Sequence, residues 1–238
     1  MAPVLPAYSL KPKTALPAEE KKQQSDHSDH ILYVRVRLAT DESDVPFIHG
    51  LIHKMAAFYH LSDECEATKP ALSSTLFNSK TPFEPFKTVT VFLVEVSSTP
   101  FAPNHPSTQH FNHIETTLHL PHPINDPEME LFRTEEGTII AGFVIFFPSY
   151  STFLSKPAFH VEDLFVREGY RGKGFGGMLM KAVASQAVKM GYARMEWTVT
   201  TWNVASHTFY EKLGAHILQD WRIFRLADDA LLSYGRSD

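Results

Sequence analysis

Val161-Glu-Asp-Leu-Phe-Val-Arg-Glu-Gly-Tyr-Arg-Gly-Lys-Gly-Phe-Gly-Gly177 joins an apolar strand carrying two acids to a basic, glycine-rich turn, and an amphipathic helix follows at once. Arg171, Gly174 and Gly176 fit the pattern R-x-x-G-x-G. Such a turn is a phosphate cradle. Glycine removes the Cβ atoms that would crowd the backbone, so successive N–H groups converge on an anion at a helix N-terminus. Arg171 and Lys173 add positive charge where pyrophosphate oxygens would lie. What remains is which nucleotide the cradle holds.

Two familiar phosphate-binding patterns fail in this context. Gly172, Gly174 and Gly177 also satisfy G-x-G-x-x-G, with Glu196 downstream where a ribose carboxylate would stand. A dinucleotide fold, however, uses that turn first and builds further βα units after it. Here the turn falls at residue 172, with two expected strands left. A P-loop requires Gly-Lys-Ser/Thr, and Phe175 follows Gly174.

Outward from the cradle, the chain reads as one mixed α/β (α+β) domain over residues 31–232. Residues 1–30 hold four prolines and a Glu-Glu-Lys-Lys-Gln-Gln tract, the composition of a disordered tail. Residues 32–38 alternate apolar and polar as a half-buried strand does, and Ile48, Leu51, Ile52, Met55 and Phe58 set an amphipathic helix over 44–59. A short helix from Pro70 to Leu76 starts on Thr68 as cap. Strands are expected at 88–96, 138–147 and 158–166, with a turn from Pro148 to Pro157. Residues 98–136, crowded with prolines and with histidines at 105, 110, 113, 119 and 122, read as an inserted loop. After the cradle comes a helix ending at Gly191. A strand over 194–200, a helix capped by Asn203 and ended by Gly214, and a closing strand over 216–226 complete the chain.

Composition narrows the function classes. A formal net charge of −5 argues against a general nucleic-acid or membrane-surface binder. The single cysteine, Cys65, excludes an internal disulfide framework and a thiolate zinc site. No apolar run reaches the ~20 residues of a membrane span. A secretory or transit leader is not evident, and a cytoplasmic protein is expected. His49 and His53 stand at i, i+4, but no third ligand is evident beside them, and the histidines of 98–136 are irregularly spaced. No metal is expected.

The order strand, R-x-x-G-x-G turn, helix, strand, short helix with tyrosine resembles the GNAT superfamily of acyl-CoA-dependent N-acyltransferases. Within it the chain is similar to the diamine/polyamine acetyltransferase branch and its plant relatives, the ornithine or diamine acetyltransferases and tyramine hydroxycinnamoyltransferases. The resemblance rests on Arg37-Leu-Ala-Thr40, Val161-Glu-Asp-Leu-Phe-Val166, Tyr170-Arg-Gly-Lys-Gly-Phe-Gly176, Trp202-Asn203, Phe209-Tyr210-Glu211 and Gly214-Ala215. It implies a mostly antiparallel central sheet flanked by helices, acetyl-CoA as co-substrate, a small primary amine as partner, and a homodimer. It places CoA pyrophosphate on Arg171, Gly172, Lys173, Gly174, Phe175, Gly176 and Gly177, and the pantetheine arm along Leu164, Phe165 and Val166, with Asn203 near its end. Glu162 takes the position of the general base, Asp163 that of an amine-binding carboxylate, and Tyr210 that of the general acid for the leaving thiolate. A strand points neighbours to opposite faces, so Glu162 and Asp163 serve one site only if the strand bulges.

One departure bears on the substrate. Polyamine-acetylating relatives often carry a glutamate near the end of the first helix, where this chain has Tyr59 after Phe58. An aromatic pair there favours a substrate with an apolar or aromatic body, while Val161-Glu-Asp163 resembles the acetylating enzymes. Acetyl transfer to an ornithine-like, diamine or arylalkyl amine is the leading expectation. Hydroxycinnamoyl transfer to tyramine and a non-catalytic acyl-CoA-binding module are the alternatives.

Overall fold

The first two strands share a cluster of buried charge that ties them to each other and to the start of the first helix. The computed structural model describes residues 30–77, 83–103, 105 and 109–235. The tail expected over residues 1–30 lies outside them except for His30. Strand β1 (His30–Leu38) is buried from Val34 to Leu38, Arg35 and Arg37 included. The alternation that predicts a half-buried strand therefore has a different cause: the polar side of β1 faces other charges, not water. Arg35 and Arg37 both donate to Glu95 on β2 (Thr90–Ser97), at 2.5 and 3.0 Å, and Arg37 also grips Asp44 at 2.6 and 3.0 Å. Thr138 donates to Glu95 as well. Burial pushes the Glu95 carboxyl up, and the two guanidinium groups overcome it to hold the group below its ordinary value.

The second reason β1 is buried is a strand inside the segment expected to be an inserted loop. β3 (Ile114–Leu120) pairs antiparallel with β1 and forms the sheet edge. The same segment sends Phe111 and Phe132 into the core, and its proline and histidine content hides this contribution. Asp126 from the segment accepts from Arg167 at 2.5 Å and from the Tyr170 hydroxyl at 2.8 Å, which ties it to the residues just before the glycine turn.

The remaining elements follow chain order. Helix α1 (Val45–Phe58) begins after Asp44 with Pro46 in its first turn and buries Val45, Ile48, Leu51 and Ala56. Helix α2 (Lys69–Leu76) starts on Thr68, whose hydroxyl accepts from the Ala71 amide. β4 (Ile139–Ser151) and β5 (Lys156–Val166) form one long hairpin, so the turn expected over 148–157 is mostly strand. Helix α3 (Phe175–Lys189) lays Phe175, Leu179, Met180, Ala182, Val183, Gln186 and Ala187 on the sheet and ends at Gly191 with φ +69°. β6 is the short run Met195–Trp197, helix α4 spans Val204–Lys212, and helix α5 spans Asp228–Leu232.

The sheet order is β3-β1-β2-β4-β5-β6, antiparallel throughout except for the parallel pair β5/β6. This is the mixed, mostly antiparallel sheet with flanking helices expected of the chain. The closing strand expected over 216–226 does not form. Among the described residues that segment has no strand partner, and Trp221, Ile223 and Phe224 are 71, 70 and 94 % exposed. Among the described residues no helix is long and apolar enough to cross a membrane.

Removing Glu95 tests the role of the buried charge. Glu95→Ala leaves two guanidinium groups without their shared carboxylate, and a loss of about 3–5 kcal/mol is expected in urea unfolding. Because the folded state holds this carboxyl below its unfolded value, the contribution is present at neutral pH. It disappears as pH falls through the carboxylate range. A loss within about 0.5 kcal/mol would show that the cluster does not hold the strands.

Candidate active site

β5 leaves its two neighbours in different ways, and that difference makes room for a ligand. Its pairing with β4 is continuous from Gly142↔Val166 to Ser151↔Lys156, apart from one slip: Ile145 faces Asp163 while Phe146 faces Val161. Glu162 is the extra residue of a β-bulge. The bulge breaks the strict two-face alternation at the point where both carboxylates of one site would need it broken. Close approach at the far end is secured by Gly142, where a Cβ would lie 2.5 Å from the Phe165 carbonyl oxygen.

On its other edge β5 pairs with β6 only from Phe159↔Met195 to Val161↔Trp197. Beyond Val161 the two strands part, and Glu162 to Val166 have no strand partner on that side among the described residues. Leu164, Phe165 and Val166 thus present a free backbone edge to any extended chain laid in the gap. One acceptor there is already engaged, since Arg171 Nε donates to the Val166 carbonyl at 2.8 Å.

The turn after β5 has the geometry of an anion cradle. Gly172 and Gly174 have φ of +72° and +87°, conformations that L side chains rarely adopt. A Cβ added at Gly172, Gly174 or Gly177 would meet nothing within 4 Å, so internal packing does not explain those glycines. Helix α3 starts on Gly174 without a side-chain cap. Among the described residues, the first-turn amides of Phe175, Gly176 and Gly177 have no acceptor. Arg171 and Lys173, expected to reach an anion, instead brace the loop. Arg171 donates to Val166 and stacks over Phe58 and Phe165, and Lys173 donates to the Gly169 carbonyl at 3.0 Å. These features fit a pyrophosphate held chiefly by backbone N–H groups and the helix terminus.

The titratable groups sit where the strands part. Asp163 is half-buried, and desolvation followed by the nearby Glu162 raises its pKa to about 6. Glu162 is more exposed, with His160 Nε2 at 3.6 Å. Tyr210, on α4, is pushed up to about 12 by burial and then by Tyr59, so it keeps its proton at neutral pH. Among the described residues neither the Asp163 carboxyl nor the Tyr210 hydroxyl has a hydrogen-bond partner. Asn203 plays a different part from the one expected: it is buried and caps α4, its side-chain oxygen accepting from the Ser206 amide.

An aromatic wall closes over this region. Phe58 and Tyr59 end α1 and meet Trp202, with ring centroids 5.3, 5.6 and 5.9 Å apart. Trp197 and Phe209 each lie 5.0 Å from Tyr210. The structure thus brings Tyr59, Tyr210 and the Arg171 turn together. To the expected pair of Phe58 and Tyr59 it adds Trp202. The signal for Trp202 was its place beside the capping Asn203.

Comparison with known proteins identifies the family. The family model described as Acetyltransferase (GNAT) family matches residues 93–215. The chain is 46 % identical over 225 residues to an L-ornithine N5-acetyltransferase of Arabidopsis thaliana, covering 93 % of this chain and 96 % of that protein. It is 35 % identical over 209 residues to a tyramine N-feruloyltransferase of Nicotiana tabacum, covering 85 and 91 %. A thialysine N-epsilon-acetyltransferase of Bos taurus is 26 % identical over 202 residues, covering 84 and 95 %. Among solved structures, an integron cassette protein from the V. cholerae mobile metagenome has the same fold, with a TM-score of 0.55 at 19 % identity over 86 % of this chain and 98 % of that one. The uncapped glycine turn, the parted strands and these relatives lead to one statement: the chain belongs to the GNAT family of acetyltransferases, whose co-substrate is an acyl-CoA.

Proposed function

We propose that this protein transfers the acetyl group of acetyl-CoA to a primary amine of the ornithine or diamine class, by direct attack of the amine on the thioester. The observation that carries the reading is the β-bulge that breaks the alternation of β5 at Glu162 and Asp163, just where β6 departs after Val161. Identity to the ornithine acetyltransferase supports acetyl over feruloyl as the acyl group.

Each side chain then has a task set by the substrate. A primary alkyl amine has a pKa near ~10.4 and arrives as a cation. Ionised Asp163 binds that cation, and the faces of Phe58, Tyr59 and Trp202 cover the carbon chain beside it. Glu162, nearer to solvent, accepts the ammonium proton directly or through water, which frees the nitrogen lone pair. The nitrogen forms its bond to the thioester carbon, the C–S bond breaks, the departing sulfur takes the Tyr210 proton, and the second proton of the acylated nitrogen passes through water to restore the Tyr210 hydroxyl. A free N–H of the Leu164–Val166 edge polarises the carbonyl oxygen. Acyl-CoA, when bound, supplies the thioester; the Gly172–Gly177 amides would hold its pyrophosphate and the β5 edge its pantetheine arm.

The pH dependence separates the two acidic roles. Below pH of about 6 Asp163 gains a proton and loses its hold on the cation, so kcat/KM for the amine falls. Asp163→Asn should raise KM and remove that limb from the profile. The raised pKa means that the contribution of Asp163 to stability is fully present below its unfolded value and is lost as pH rises through about 6. The same variant should therefore be more stable than the parent at pH 8 and equal to it below pH of about 4. Tyr210→Phe should lower kcat by about a hundredfold or more with acetyl-CoA binding retained. An acid limb that persists in Asp163→Asn, or full turnover in Tyr210→Phe, contradicts the assignments.

The acyl group and amine are tested together. Purified protein is supplied with acetyl-CoA or feruloyl-CoA against ornithine, putrescine and tyramine, with release of free thiol as the readout. Acetyl-CoA with ornithine or putrescine is expected to be turned over fastest. Feruloyl-CoA with tyramine as the best pair would favour the hydroxycinnamoyl reading, and thiol release from no pair would leave a non-catalytic acyl-CoA-binding module.

The same reading includes a homodimer. Residues 216–226 carry a strand pattern but have no strand partner among the described residues, and Ile217, Trp221, Ile223 and Phe224 expose apolar surface that single chains rarely leave open. A second copy would cover it. Sedimentation should give a dimer that Trp221→Asp and Phe224→Asp together convert to monomer; a monomeric parent protein refutes this.

A further inference from the structure

His49 and His53 lie one turn apart on α1, half-buried against the segment that leads into α2. Their sequence spacing allows a metal pair and lacks only a third donor. The fold supplies one. His49 Nε2 lies 3.0 Å from His53 Nε2, and the Ala67 carbonyl oxygen lies 3.1 Å from the first and 3.2 Å from the second. The three atoms make a nearly equilateral triangle.

No neutral or protonated state of the two rings satisfies all three edges of that triangle. If both Nε2 atoms carry hydrogen, two N–H groups point at one another. If one does, the other nitrogen turns a lone pair toward the carbonyl oxygen. If neither does, three lone pairs converge. A cation above the triangle turns every one of these repulsions into a ligand bond. The edges also have the right length. Donors at about 2.1 Å from an ion stand about 3.0 Å apart in octahedral and about 3.4 Å apart in tetrahedral geometry.

We propose that His49 Nε2, His53 Nε2 and the Ala67 carbonyl oxygen form one face of a binding site for a divalent transition-metal ion, with water completing the coordination. Two imidazoles and a carbonyl suit zinc, nickel or copper, not magnesium or calcium, which prefer all-oxygen sets. Among the described residues no cluster of three His, Cys, Asp or Glu side chains exists, so this set depends on the backbone donor. The ion would staple residues 59–68 to α1. It would thereby steady the helix end at which Phe58 and Tyr59 meet Trp202, without taking part in the transfer itself.

The test uses the full chain, stripped with a chelator and titrated with zinc while heat of binding and thermal unfolding are followed. The unaltered protein should take up one equivalent and unfold at a higher temperature. His49→Gln and His53→Gln should each weaken that equivalent by at least about tenfold, and His110→Gln should bind as the parent does. Equal zinc response in all four proteins, or no response in any, overturns the proposal. Should a variant fail to fold, anomalous diffraction from zinc-soaked crystals of the unaltered protein decides. A peak between His49, His53 and Ala67 supports the site, and the absence of one there refutes it.

Discussion

The pairing of β4 with β5 is the constraint on which the rest of the molecule depends. It runs the length of both strands, passes through the core at Phe143, Val144 and Phe146, and delivers the chain to the glycine turn. Its single slip leaves Glu162 as an extra residue. A strand without the slip would send neighbouring acids to opposite faces of the sheet. The free edge of β5 depends on the same strand, because β6 joins it for three positions and then departs. Acids, backbone edge and anion cradle are therefore successive stretches of one strand and its exit, held in register by one neighbour.

Buried charge supplies the second level of positioning. Glu95 joins Arg35 and Arg37 in the middle of the sheet, and Arg37 reaches on to Asp44, the residue before α1. The start of α1 is thus anchored to the sheet by an ion pair, and its far end carries Phe58 and Tyr59 to Trp202. Asp126 does the equivalent job beside the cradle, fixing Arg167 and Tyr170 from a segment remote in sequence. Such pairs add little net stability compared with apolar packing, but losing one partner is costly, which makes them devices of placement.

Local signals in the chain carried much of this. The cradle, the cap at Thr68, the cap at Asn203 and the apolar stripe of α3 depend on near neighbours, so residue type and spacing sufficed. What escaped depends on distant partners. β3 reads Ile-Glu-Thr-Thr-Leu-His-Leu, but as an edge strand it buries none of these residues, and the prolines and histidines around it hide the pattern. Arg35 and Arg37 look solvent-facing until Glu95 and Asp44 are brought to them. The bulge is invisible in β5 itself, since it arises from register against β4. Residues 216–226 have the pattern of a strand, yet none of the described residues pairs with them. The aromatic wall joins residues 58, 59 and 202, and only the fold brings those ends together.

Direct attack requires that amine and thioester meet in one ternary complex along β5, with no acyl group parked on the protein. Initial rates with acetyl-CoA and ornithine varied against each other test it most directly. Double-reciprocal lines that intersect are predicted. Parallel lines, the pattern of an acylated enzyme intermediate, would contradict it, as would the absence of any thiol release in the presence of both.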